Sequence, residues 1–341
     1  MMTILFSTFN GMQTLPRMLT RLQTIKHPDG LRIVAVDNRS TDGSGAFLRQ
    51  WQDKLPITVL DFPHPGKNRA LNFALDQIAD GLDERELVVI TDDDIVPDSD
   101  WLLQLCRSAQ VHRDVSAFGG VIKPVWPDNV PSWLNSLESE YAALFATTSA
   151  RHGTCSSRDI YGPNMAVRAR LFKRGLRFNG AIGPDGSQSF GMGSESELLR
   201  RIERMGHRMF FCEHAIVGHQ VKPSLLRWSA VLRRGQRYGR GLGMMDRQHG
   251  SETMQMAHTL AQLFVLELKA LATWMPRWSS RRPVILYRRE VRLGRLLSYF
   301  AAPIDKKLST DALADLAMRL RQLSAQAQKI VPRAEAQTRR A

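Results

Sequence analysis

The first 125 residues alternate between two hydrophobic periodicities, and this alternation constrains the fold more than any other feature of the chain. Short apolar runs have the length of strands, and stretches with helical spacing separate them. The predicted strands are Thr3–Phe9, Arg32–Asp37, Ile57–Phe62, Leu87–Thr91 and Val115–Ile122, and the predicted helices are Leu15–Ile25, Gly43–Gln52, Asn68–Ala79 and Asp98–Gln110. This order predicts an α/β fold with a mostly parallel sheet, flanked by helices, that binds ligands at the carboxyl ends of its strands.

Past residue 125 the alternation stops, and the last third of the chain is helical in pattern. Segment 126–158 is rich in Trp, Pro, Ser and Thr, so we expect an irregular connection with a short helix near Leu137–Phe145. The further predicted elements are a strand at Tyr161–Arg168 and helices at Ser194–Met205, Leu225–Tyr238, Thr253–Trp274, Pro283–Phe300 and Asp311–Ile330. We therefore predict two domains: an α/β domain over residues 1–222 and a basic, largely helical C-terminal region over residues 223–341.

Positive charge is concentrated in that C-terminal region. The chain has 47 Lys+Arg and 33 Asp+Glu, a formal net charge of +14. Residues 1–220 hold 24 basic and 25 acidic side chains, whereas residues 221–341 hold 23 basic and 8 acidic ones. A basic surface attracts phosphate, whether on nucleic acid, anionic lipid or a phosphorylated substrate. A solvated helical face is the simpler alternative.

Cysteine content and hydropathy argue against several protein classes. Cys106, Cys155 and Cys212 form neither a C-x-x-C pair nor an even set, which disfavours a disulfide scaffold or structural zinc site and favours a reducing compartment. The N-terminus lacks the basic lead and cleavage site of a signal peptide. No stretch approaches the roughly 18 uncharged apolar residues that span a bilayer. We therefore expect a cytoplasmic protein.

Three aspartates, Asp92, Asp93 and Asp94, follow the predicted strand that ends at Thr91. In an extended segment alternate side chains share a face, so Asp92 and Asp94 are expected to point the same way and to repel each other unless a cation lies between them. Oxygen ligands of this kind suit Mg²⁺ or Mn²⁺, which also bridge the phosphate oxygens of a nucleotide. The alternative is a solvated acidic turn before the next helix.

The second predicted strand also ends in an acid, Asp37, which can accept hydrogen bonds from a ribose or from a ring N–H of a base. A dinucleotide-binding enzyme would carry G-x-G-x-x-G after the first strand, whereas this chain has T-F-N-G-M at residues 8–12. The phosphate-binding pattern G-x-x-x-x-G-K-[ST] does not occur either. These absences exclude a Rossmann dehydrogenase and a P-loop protein. The S-T-D run at residues 40–42 is expected to cap the following helix.

Taken in order, these motifs resemble those of the family 2 glycosyltransferases, which have the GT-A fold. The resemblance is carried by T-F-N at residues 8–10, D-N-R-S-T-D-G-S at 37–44 and D-D-D at 92–94, within a match over roughly residues 3–220. G-K-N-R-A-L-N at residues 66–72 is similar to the helix start that lines the family's donor site. The arginine of that motif is Leu71 here, so Lys67 or Arg69 would supply the positive charge. The resemblance implies a GT-A-type, Rossmann-like sheet that binds a nucleotide-sugar donor.

The resemblance also implies roles for individual residues at the donor site. The nucleotide would lie near Thr8, Phe9 and Asn10, and Asp37 would bind its base, which mildly favours uracil. Arginines of a basic helix would approach the leaving diphosphate, because their planar donor groups match phosphate geometry. The other residues implied to bind substrates are Lys67, Asn72, Asp92, Asp93, Asn164, Glu197, Arg233, Arg234 and Arg237.

A metal site follows from the same resemblance. The implied ligands are Asp92, Asp94 and His219, and the implied cofactor is Mn²⁺ or Mg²⁺. His214 lies five residues before His219, so in a regular strand the two side chains would point to opposite faces. We therefore expect His214 to be an ordinary structural residue.

An inverting sugar transfer further needs a base for the acceptor hydroxyl. The segment G-M-G-S-E-S-E-L-L at residues 191–199 corresponds to the family's acidic helix start, with Ser194 in place of the first acid and Glu195 in place of the usual Asp. The resemblance implies Glu195 as the base and Glu197 as a supporting or acceptor-binding group. Ser194 and Glu197 also have the spacing of a capping box, which predicts that Glu197 bonds back to the start of the helix.

The predicted helix Pro283–Phe300 is basic and amphipathic. Its arginines are Arg288, Arg289, Arg292 and Arg295, and the aromatic side chains in and near it are Trp274, Trp278, Tyr287 and Tyr299. A helix of this composition can lie in the interface of an anionic membrane, and packing within a helical subdomain is the alternative. We expect peripheral association with the inner face of the cell membrane.

These observations together predict an inverting, metal-dependent glycosyltransferase of cell-surface polysaccharide synthesis. Its partners would be a nucleotide-sugar donor, most simply a UDP-sugar, and a saccharide or lipid-linked acceptor. A sugar-nucleotide pyrophosphorylase is a second reading, but it would need a Gly-rich basic loop after the first strand. A nucleic-acid-binding protein is a third, and the neutral residues 1–220 and the missing RNA-recognition motif argue against it. The absence of Q-x-x-R-W favours single transfer over polymerisation.

Overall fold

The structure is a computed structural model that describes residues 1–28, 30–148, 150–187, 189–248, 250–273 and 280–300. The chain divides into two compact units. The described parts of residues 1–127, 145–188 and 193–221 form the first unit, and residues 128–144, 189–192 and the described residues from Lys222 onward form the second. The predicted helix Asp311–Ile330, and Trp274 and Trp278, lie outside the described residues. The predicted domain boundary after residue 222 stays a prediction.

Among the described residues, the first unit contains a mixed sheet of nine strands. They are β1 (Met2–Thr8), β2 (Leu31–Asp37), β3 (Ile57–Asp61), β4 (Leu87–Ile90), β5 (Ile95–Pro97), β6 (Val115–Val125), β7 (Gly153–Cys155), β8 (Met165–Arg168) and β9 (Arg208–Gln220). Their order is β3-β2-β1-β4-β8-β6-β9-β5, and β7 pairs with β9. Strands β1 to β4 are parallel to one another, as their alternation with helices predicts, whereas β8 runs antiparallel to both β4 and β6.

Helices cover both faces of this sheet, and the predicted α/β class is confirmed. The helices of the first unit are α1 (Leu15–Thr24), α2 (Ser44–Arg49), α3 (Lys67–Ile78), α4 (Trp101–Val111), α6 (Ala169–Lys173) and α7 (Ser194–Arg204), and α5 (Tyr141–Phe145) belongs in part to each unit. On β1, Ile4 and Phe6 join one buried cluster with α1 and α4, whereas Leu5 joins another with α3 and α7. A strand buried on both faces reads as the continuous apolar run seen in the sequence.

Three strands could not be predicted from the sequence, because they are short or irregular. Strands β5 and β7 have three residues each, too few to display a period of two. Strand β9 has 13 residues but is interrupted by polar side chains, among them Glu213 and His214. These strands matter because β9 pairs with β5, β6 and β7 and so carries one side of the sheet.

The predicted capping box at the start of α7 is wrong. The helix begins after Gly193, which has a left-handed φ of 106°, and no side chain caps it. Glu197 instead forms a buried ion pair with Arg201 one turn later, at 2.7 Å. The Ser194 hydroxyl donates to Glu195 at 2.9 Å. Ser194 and Glu197 have the spacing of a capping box, but Glu197 pairs instead with Arg201, four residues later on the same face of the helix.

The second unit is helical in its described residues, with α8 (Trp228–Gln248), α9 (Glu252–Ala272) and α10 (Arg282–Phe300) as its main elements. Helix α8 continues ten residues past its predicted end at Tyr238. The reason is close packing against α10 at glycines: a Cβ on Gly239 would lie 1.9 Å from the carbonyl oxygen of Val291. Glycine costs helix propensity, and here the close approach of two backbones compensates for that cost.

Helix α10 does not offer the exposed amphipathic face that its sequence suggested. Tyr287 is fully buried, and Arg289 is 6% exposed and pairs with Glu267 at 2.5 Å. Arg295 pairs with Asp246 at 2.6 Å. Arg289 and Arg295 thus neutralise acids within the helical unit, and the predicted membrane contact of this helix stays a prediction.

Most of the exposed large apolar side chains described in the second unit lie on α9 instead. They are Met254, Leu260, Phe264, Val265, Leu268 and Leu271. Leu260, Phe264, Leu268 and Leu271 follow the spacing of one helix face. Within the described residues, none of the helices is both long enough and apolar enough to cross a membrane.

Candidate active site

A cleft of about 580 Å³ lies at the carboxyl edge of the parallel strands, in the first unit. This is the edge at which the fold predicts ligand binding. The end of β1, the segment after β2, the start of α3 and the turn after β4 all contribute to its lining. The predicted site residues in that lining are Thr8, Phe9, Lys67, Asp92, Asp93 and Asp94.

Lys67 joins two carboxylates at the centre of this region. Its ammonium nitrogen lies 2.6 Å from Asp92 Oδ1 and 2.6 Å from Glu195 Oε1. The exposed side-chain fractions are 18% for Lys67, 25% for Asp92 and 16% for Glu195. A cation is expected beside Asp92 to offset the repulsion between the aspartates. In the structure, the Lys67 ammonium group supplies a positive charge at Asp92.

Lys67 lowers the pKa of both carboxylates relative to what burial alone would give. Burial alone would lower the pKa of Lys67, but the charges of Asp92 and Glu195 outweigh it and raise that pKa. Burial would raise the pKa of Glu195, yet the charge and hydrogen bond of Lys67 lower it below the ordinary value. Burial and the nearby Asp94 and Glu195 raise the pKa of Asp92. Glu195 is thus held ionised, which a proton acceptor requires.

Gly162 leaves the space that Glu195 occupies. A Cβ at position 162 would lie 2.8 Å from Cδ and from Oε1 of Glu195. In the structure the group that approaches Gly162 is the Glu195 carboxyl.

Asp94 lies beside His219 because two strands pair across the sheet. Strand β5 directly follows Asp94 and runs antiparallel to β9, with Ile95 opposite His219. The Gln220 amide donates to the carbonyl of Asp94 at 2.8 Å. His219 Nδ1 lies 2.7 Å from the carbonyl oxygen of Phe145, and Nε2 lies 3.3 Å from Asp94 Oδ1. The carbonyl contact fixes the ring so that Nε2 faces the carboxylate.

This pair fits a divalent metal. A histidine that donates one ring N–H to a carbonyl and presents the other nitrogen beside a carboxylate has the arrangement of a metal ligand. Asp94 and His219 are therefore the residues suited to hold the ion, whereas Asp92 is engaged by Lys67.

Asp93 points away from this pair. Its Oδ2 accepts a hydrogen bond of 2.5 Å from the Thr8 hydroxyl, which ties the turn after β4 to the end of β1. Gly11 leaves room for that bond, since a Cβ there would lie within 2.4 Å of both oxygens. Asp93 lines the cleft, and its carboxylate is hydrogen-bonded to the Thr8 hydroxyl.

Asn38 was missed by the sequence reasoning. It lies in the cleft lining, accepts from the Gly66 amide at 3.0 Å and donates to the His64 carbonyl at 2.5 Å. These bonds position the start of α3 and hence Lys67. The sequence feature that could have identified Asn38 is its position directly after Asp37 within the D-N-R-S-T-D-G-S segment.

Asn10 and Asp37 lie at the edge of the site and support the loop after β2. Asn10 Oδ1 accepts from the Thr41 amide at 2.8 Å, and Asp37 Oδ1 accepts from the Ser40 amide at 3.0 Å. Neither residue lines the cleft itself. Of the S-T-D run at residues 40–42, Asp42 accepts from the Ser44 amide at 3.1 Å, but the residue at the cap position of α2 is Gly43, and no side chain caps the helix.

Three predicted substrate-binding residues are not brought to the cleft. Asn72 bonds the backbone of Phe178 with both its amide nitrogen and its oxygen. Asn164 is fully buried and accepts from Trp101 Nε1 at 2.8 Å. Glu197 is 4% exposed and pairs with Arg201. Their polar atoms are already engaged by the framework, so the geometry gives their predicted substrate contacts no support.

Arg233, Arg234 and Arg237 lie on α8 in the second unit. Burial lowers the pKa of Arg237, and the neighbouring charges of Arg233, Arg234 and Arg240 lower it further. The Arg237 guanidinium also lies over the ring of Phe190, 4.4 Å from its centroid. Crowded like charges of this kind favour an anion nearby. Their predicted contact with a diphosphate stays a prediction.

Comparison with known proteins agrees with this fold. A family model described as "Glycosyltransferase like family 2" matches residues 2–241. That match covers more than half of the chain, and the chain therefore belongs to glycosyltransferase family 2. The resemblance seen in the motifs is confirmed, and the membership favours it over the pyrophosphorylase alternative.

Individual relatives are distant. The chain is 22% identical over 157 residues to a glucosyl-dolichyl phosphate glucuronosyltransferase of Haloferax volcanii, a match that covers 46% of this chain and 49% of that protein. The chain thus spans about half the length of this curated relative.

Solved structures show the same fold. A mannosyltransferase, PcManGT from Pyrobaculum calidifontis in complex with GDP-Man and Mn²⁺, has a TM-score of 0.56 at 19% identity, over 86% of each chain. S. aureus TarS has a TM-score of 0.50 at 15% identity, over 86% of this chain and 54% of that one. At these identities the likeness shows the fold alone, and the predicted GT-A-type class is confirmed.

Proposed function

We propose that this protein is an inverting, metal-assisted glycosyltransferase whose base is Glu195. The observation that carries the proposal is the state of that carboxylate. It is 16% exposed and contacts Lys67, which lowers its pKa and in turn contacts Asp92 at the carboxyl edge of the sheet. A general base must be both within reach of the reacting hydroxyl and unprotonated, and this arrangement provides the second condition before any substrate binds.

In the proposed reaction the oxygen of an acceptor hydroxyl attacks the anomeric carbon of the donor sugar. The hydroxyl proton passes to a carboxylate oxygen of Glu195 as the new C–O bond forms. The bond from the anomeric carbon to the diphosphate oxygen breaks, and its electron pair leaves with the diphosphate. Attack from the face opposite the leaving group inverts the configuration of the sugar.

Stabilisation of the departing negative charge is the other half of the chemistry. A divalent ion, Mn²⁺ or Mg²⁺, held by Asp94 and His219 with Asp92 close by would supply countercharge to the diphosphate. Lys67 provides a positive charge that belongs to the protein itself, and we propose that Arg233, Arg234 and Arg237 add to it. Such fixed charges cost no reorganisation during the reaction.

The donor and acceptor are proposed from the site and from the relatives together. Asp37 and Asn10 shape the loop at which a nucleotide base would bind, and we propose a UDP-sugar donor. PcManGT is solved with GDP-Man and Mn²⁺, and the Haloferax volcanii relative is named for a dolichyl phosphate-linked sugar. We propose a saccharide or lipid-linked acceptor used in cell-surface polysaccharide synthesis.

A donor panel tests the proposal. UDP-, GDP-, dTDP- and CMP-sugars are incubated with the protein and Mn²⁺, Mg²⁺ or EDTA, and release of the nucleotide diphosphate, or of CMP, is measured. We expect metal-dependent turnover of one donor class that Asp94→Ala abolishes. Asp98→Ala is the matched control, because Asp98 is an exposed aspartate four residues further on. Turnover of no donor under any metal condition would contradict the assignment.

The apolar face of α9 supports a peripheral membrane location at the inner face of the cell membrane. Phe264 and Leu268 are 66% and 53% exposed, and residues 221–341 as a whole hold 23 basic and 8 acidic side chains. Apolar anchors combined with positive charge bind anionic bilayers, and a membrane surface is where a lipid-linked acceptor would be found.

The membrane proposal is tested by sedimentation with vesicles that contain about one third anionic lipid. The double variant Phe264→Asp/Leu268→Asp is expected to lose most of the bound fraction. The variant Thr20→Asp/Gln23→Asp changes the net charge equally on exposed positions of α1 and is expected to bind like the wild type. Equal binding by all three proteins would contradict a role for α9.

A further inference from the structure

Outside the cleft, three side chains of the first unit bring metal-binding atoms together on the surface. His152, Glu213 and His214 each offer one ligand atom, and these atoms all lie within 4.8 Å of one another. His214 Nε2 lies 3.7 Å from Glu213 Oε1, and the rings of His152 and His214 have centroids 5.7 Å apart. All three residues are exposed, so an ion from solution can reach them.

An irregularity in β9 creates this cluster. Gly120 is opposite Cys212 and the next residue, Val121, is opposite Ile216, so residues 213–215 have no partner on β6. In a regular strand Glu213 and His214 would point to opposite faces. A bulge re-aims side chains, and this one lets two consecutive residues approach a common point.

His152 reaches the same point from the neighbouring strand. Strand β7 starts one residue later and pairs antiparallel with β9, with Gly153 opposite Phe211. This register places His152 alongside the residues that follow Phe211. The His152 ring also packs edge-on against the Phe210 ring, at 5.0 Å between centroids and 89° between planes. Its imidazole is therefore oriented in advance rather than free in solvent.

We propose that His152, Glu213 and His214 form a zinc site that is separate from the donor cleft. A tetrahedral Zn²⁺ binds histidine nitrogen and carboxylate oxygen at about 2.0–2.2 Å, which places ligand atoms about 3.4 Å apart. Small side-chain rotations bring the three observed groups to that spacing. Two imidazoles and one carboxylate leave a fourth position for water, and imidazole favours Zn²⁺ over Mg²⁺ or Mn²⁺.

The site has a structural consequence for the fold. The bound ion would join the start of β7 to the bulge of β9, which otherwise pair over only three residues. The bulge ends where Ile216 pairs with Val121, and His219 pairs with Pro124, three residues or about 10 Å further along the ladder, so the proposed zinc ion and the ion at Asp94 are distinct. The proposal does not depend on glycosyl transfer.

Calorimetric titration of the metal-free full-length protein with ZnCl₂, in the presence of excess MgCl₂, tests the proposal. We expect one Zn²⁺ per chain at this site, and a Kd more than about 100-fold higher in His152→Ala and in His214→Ala, since loss of a mere supporting residue costs about 10–100-fold. His27→Ala removes an exposed histidine elsewhere, and Asp94→Ala removes the proposed ligand in the cleft. Both controls are expected to keep the binding event of this surface site with the wild-type Kd, and Asp94→Ala loses only any zinc bound in the cleft.

Two results would overturn the proposal. One is the absence of a zinc-binding event in the wild type. The other is an unchanged Kd in either His152→Ala or His214→Ala, which would place the bound ion elsewhere, for example on Cys106, Cys155 or Cys212. Loss of binding in Asp94→Ala alone would assign the ion to the donor cleft and would equally contradict a separate site.

Discussion

Replacement of Glu195 by glutamine is expected to reduce kcat for sugar transfer by about 10²–10⁴-fold, the usual contribution of a general base. Gln keeps the size of Glu and can still accept a hydrogen bond from Lys67, so the donor site should retain its shape. We therefore expect the Kd of the donor to stay close to the wild-type value. Steady-state kinetics and equilibrium donor binding, measured on the same preparation, separate these two quantities.

Glu197→Gln is the matched control for this variant. Glu197 lies in the same first turn of α7, but its carboxylate pairs with Arg201, whereas that of Glu195 pairs with Lys67 of the cleft lining. Loss of that buried pair should lower the unfolding temperature and leave kcat largely unchanged. If Glu197→Gln loses activity as severely as Glu195→Gln while both remain folded, the assignment of the base to Glu195 fails.

The second large effect is expected for Lys67→Met. Removal of one partner of a buried ion pair costs about 3–5 kcal/mol of folding free energy, because the remaining charges lose their compensation. Here two carboxylates, Asp92 and Glu195, lose it together. Chemical denaturation of the variant should show a loss of this size near neutral pH. Lys123→Met removes an exposed lysine of the same sheet and should show almost none.

Lys67→Met should also change the pH dependence of activity. Lys67 lowers the pKa of Glu195, so its removal raises that pKa and leaves the base protonated over more of the acidic range. In the wild type the stability contributed by the lowered pKa is present above the ordinary pKa of Glu and is lost as pH falls through the lowered one. The acid limb of kcat/KM is therefore expected at higher pH in Lys67→Met than in the wild type or in Lys67→Arg. An unshifted limb would mean that Lys67 does not control the base.

The location of the site could be predicted from the sequence. Parallel strands end at one edge of a sheet, so the residues that follow them must meet there, and this places Thr8 and the aspartates at 92–94 in one cleft. The start of α3 follows by the same rule. These predictions needed only strand order and the position of polar residues after each strand.

The contacts that give the site its chemistry could not be predicted in the same way. Lys67 and Glu195 are 128 residues apart, and their contact depends on how two helix starts converge. His219 reaches Asp94 only because the three-residue strand β5 pairs with β9. Strand β5 is too short, and strand β9 too irregular, to be predicted from hydrophobic periodicity.

Residue type alone also could not distinguish ligand contacts from framework contacts. An asparagine in a motif can bind a substrate or the backbone, and Asn72 and Asn164 bind the backbone and a tryptophan of the framework. The arginines of α10 gave the same ambiguity, since a basic amphipathic pattern suits a membrane surface as well as buried acids. In the structure two of these arginines pair with Asp246 and Glu267. Both acids lie on other helices, so the sequence of α10 alone could not reveal the pairs.

The anomeric configuration of the product tests the central claim most directly. Once the panel identifies the donor, its slow hydrolysis can be followed by proton NMR during the first minutes, before the released sugar equilibrates between anomers. If Glu195 activates a water molecule for a single displacement, the first-formed sugar has the configuration opposite to that of the donor, and Glu195→Gln does not form it at a measurable rate. A first-formed sugar with the donor's own configuration would contradict the account.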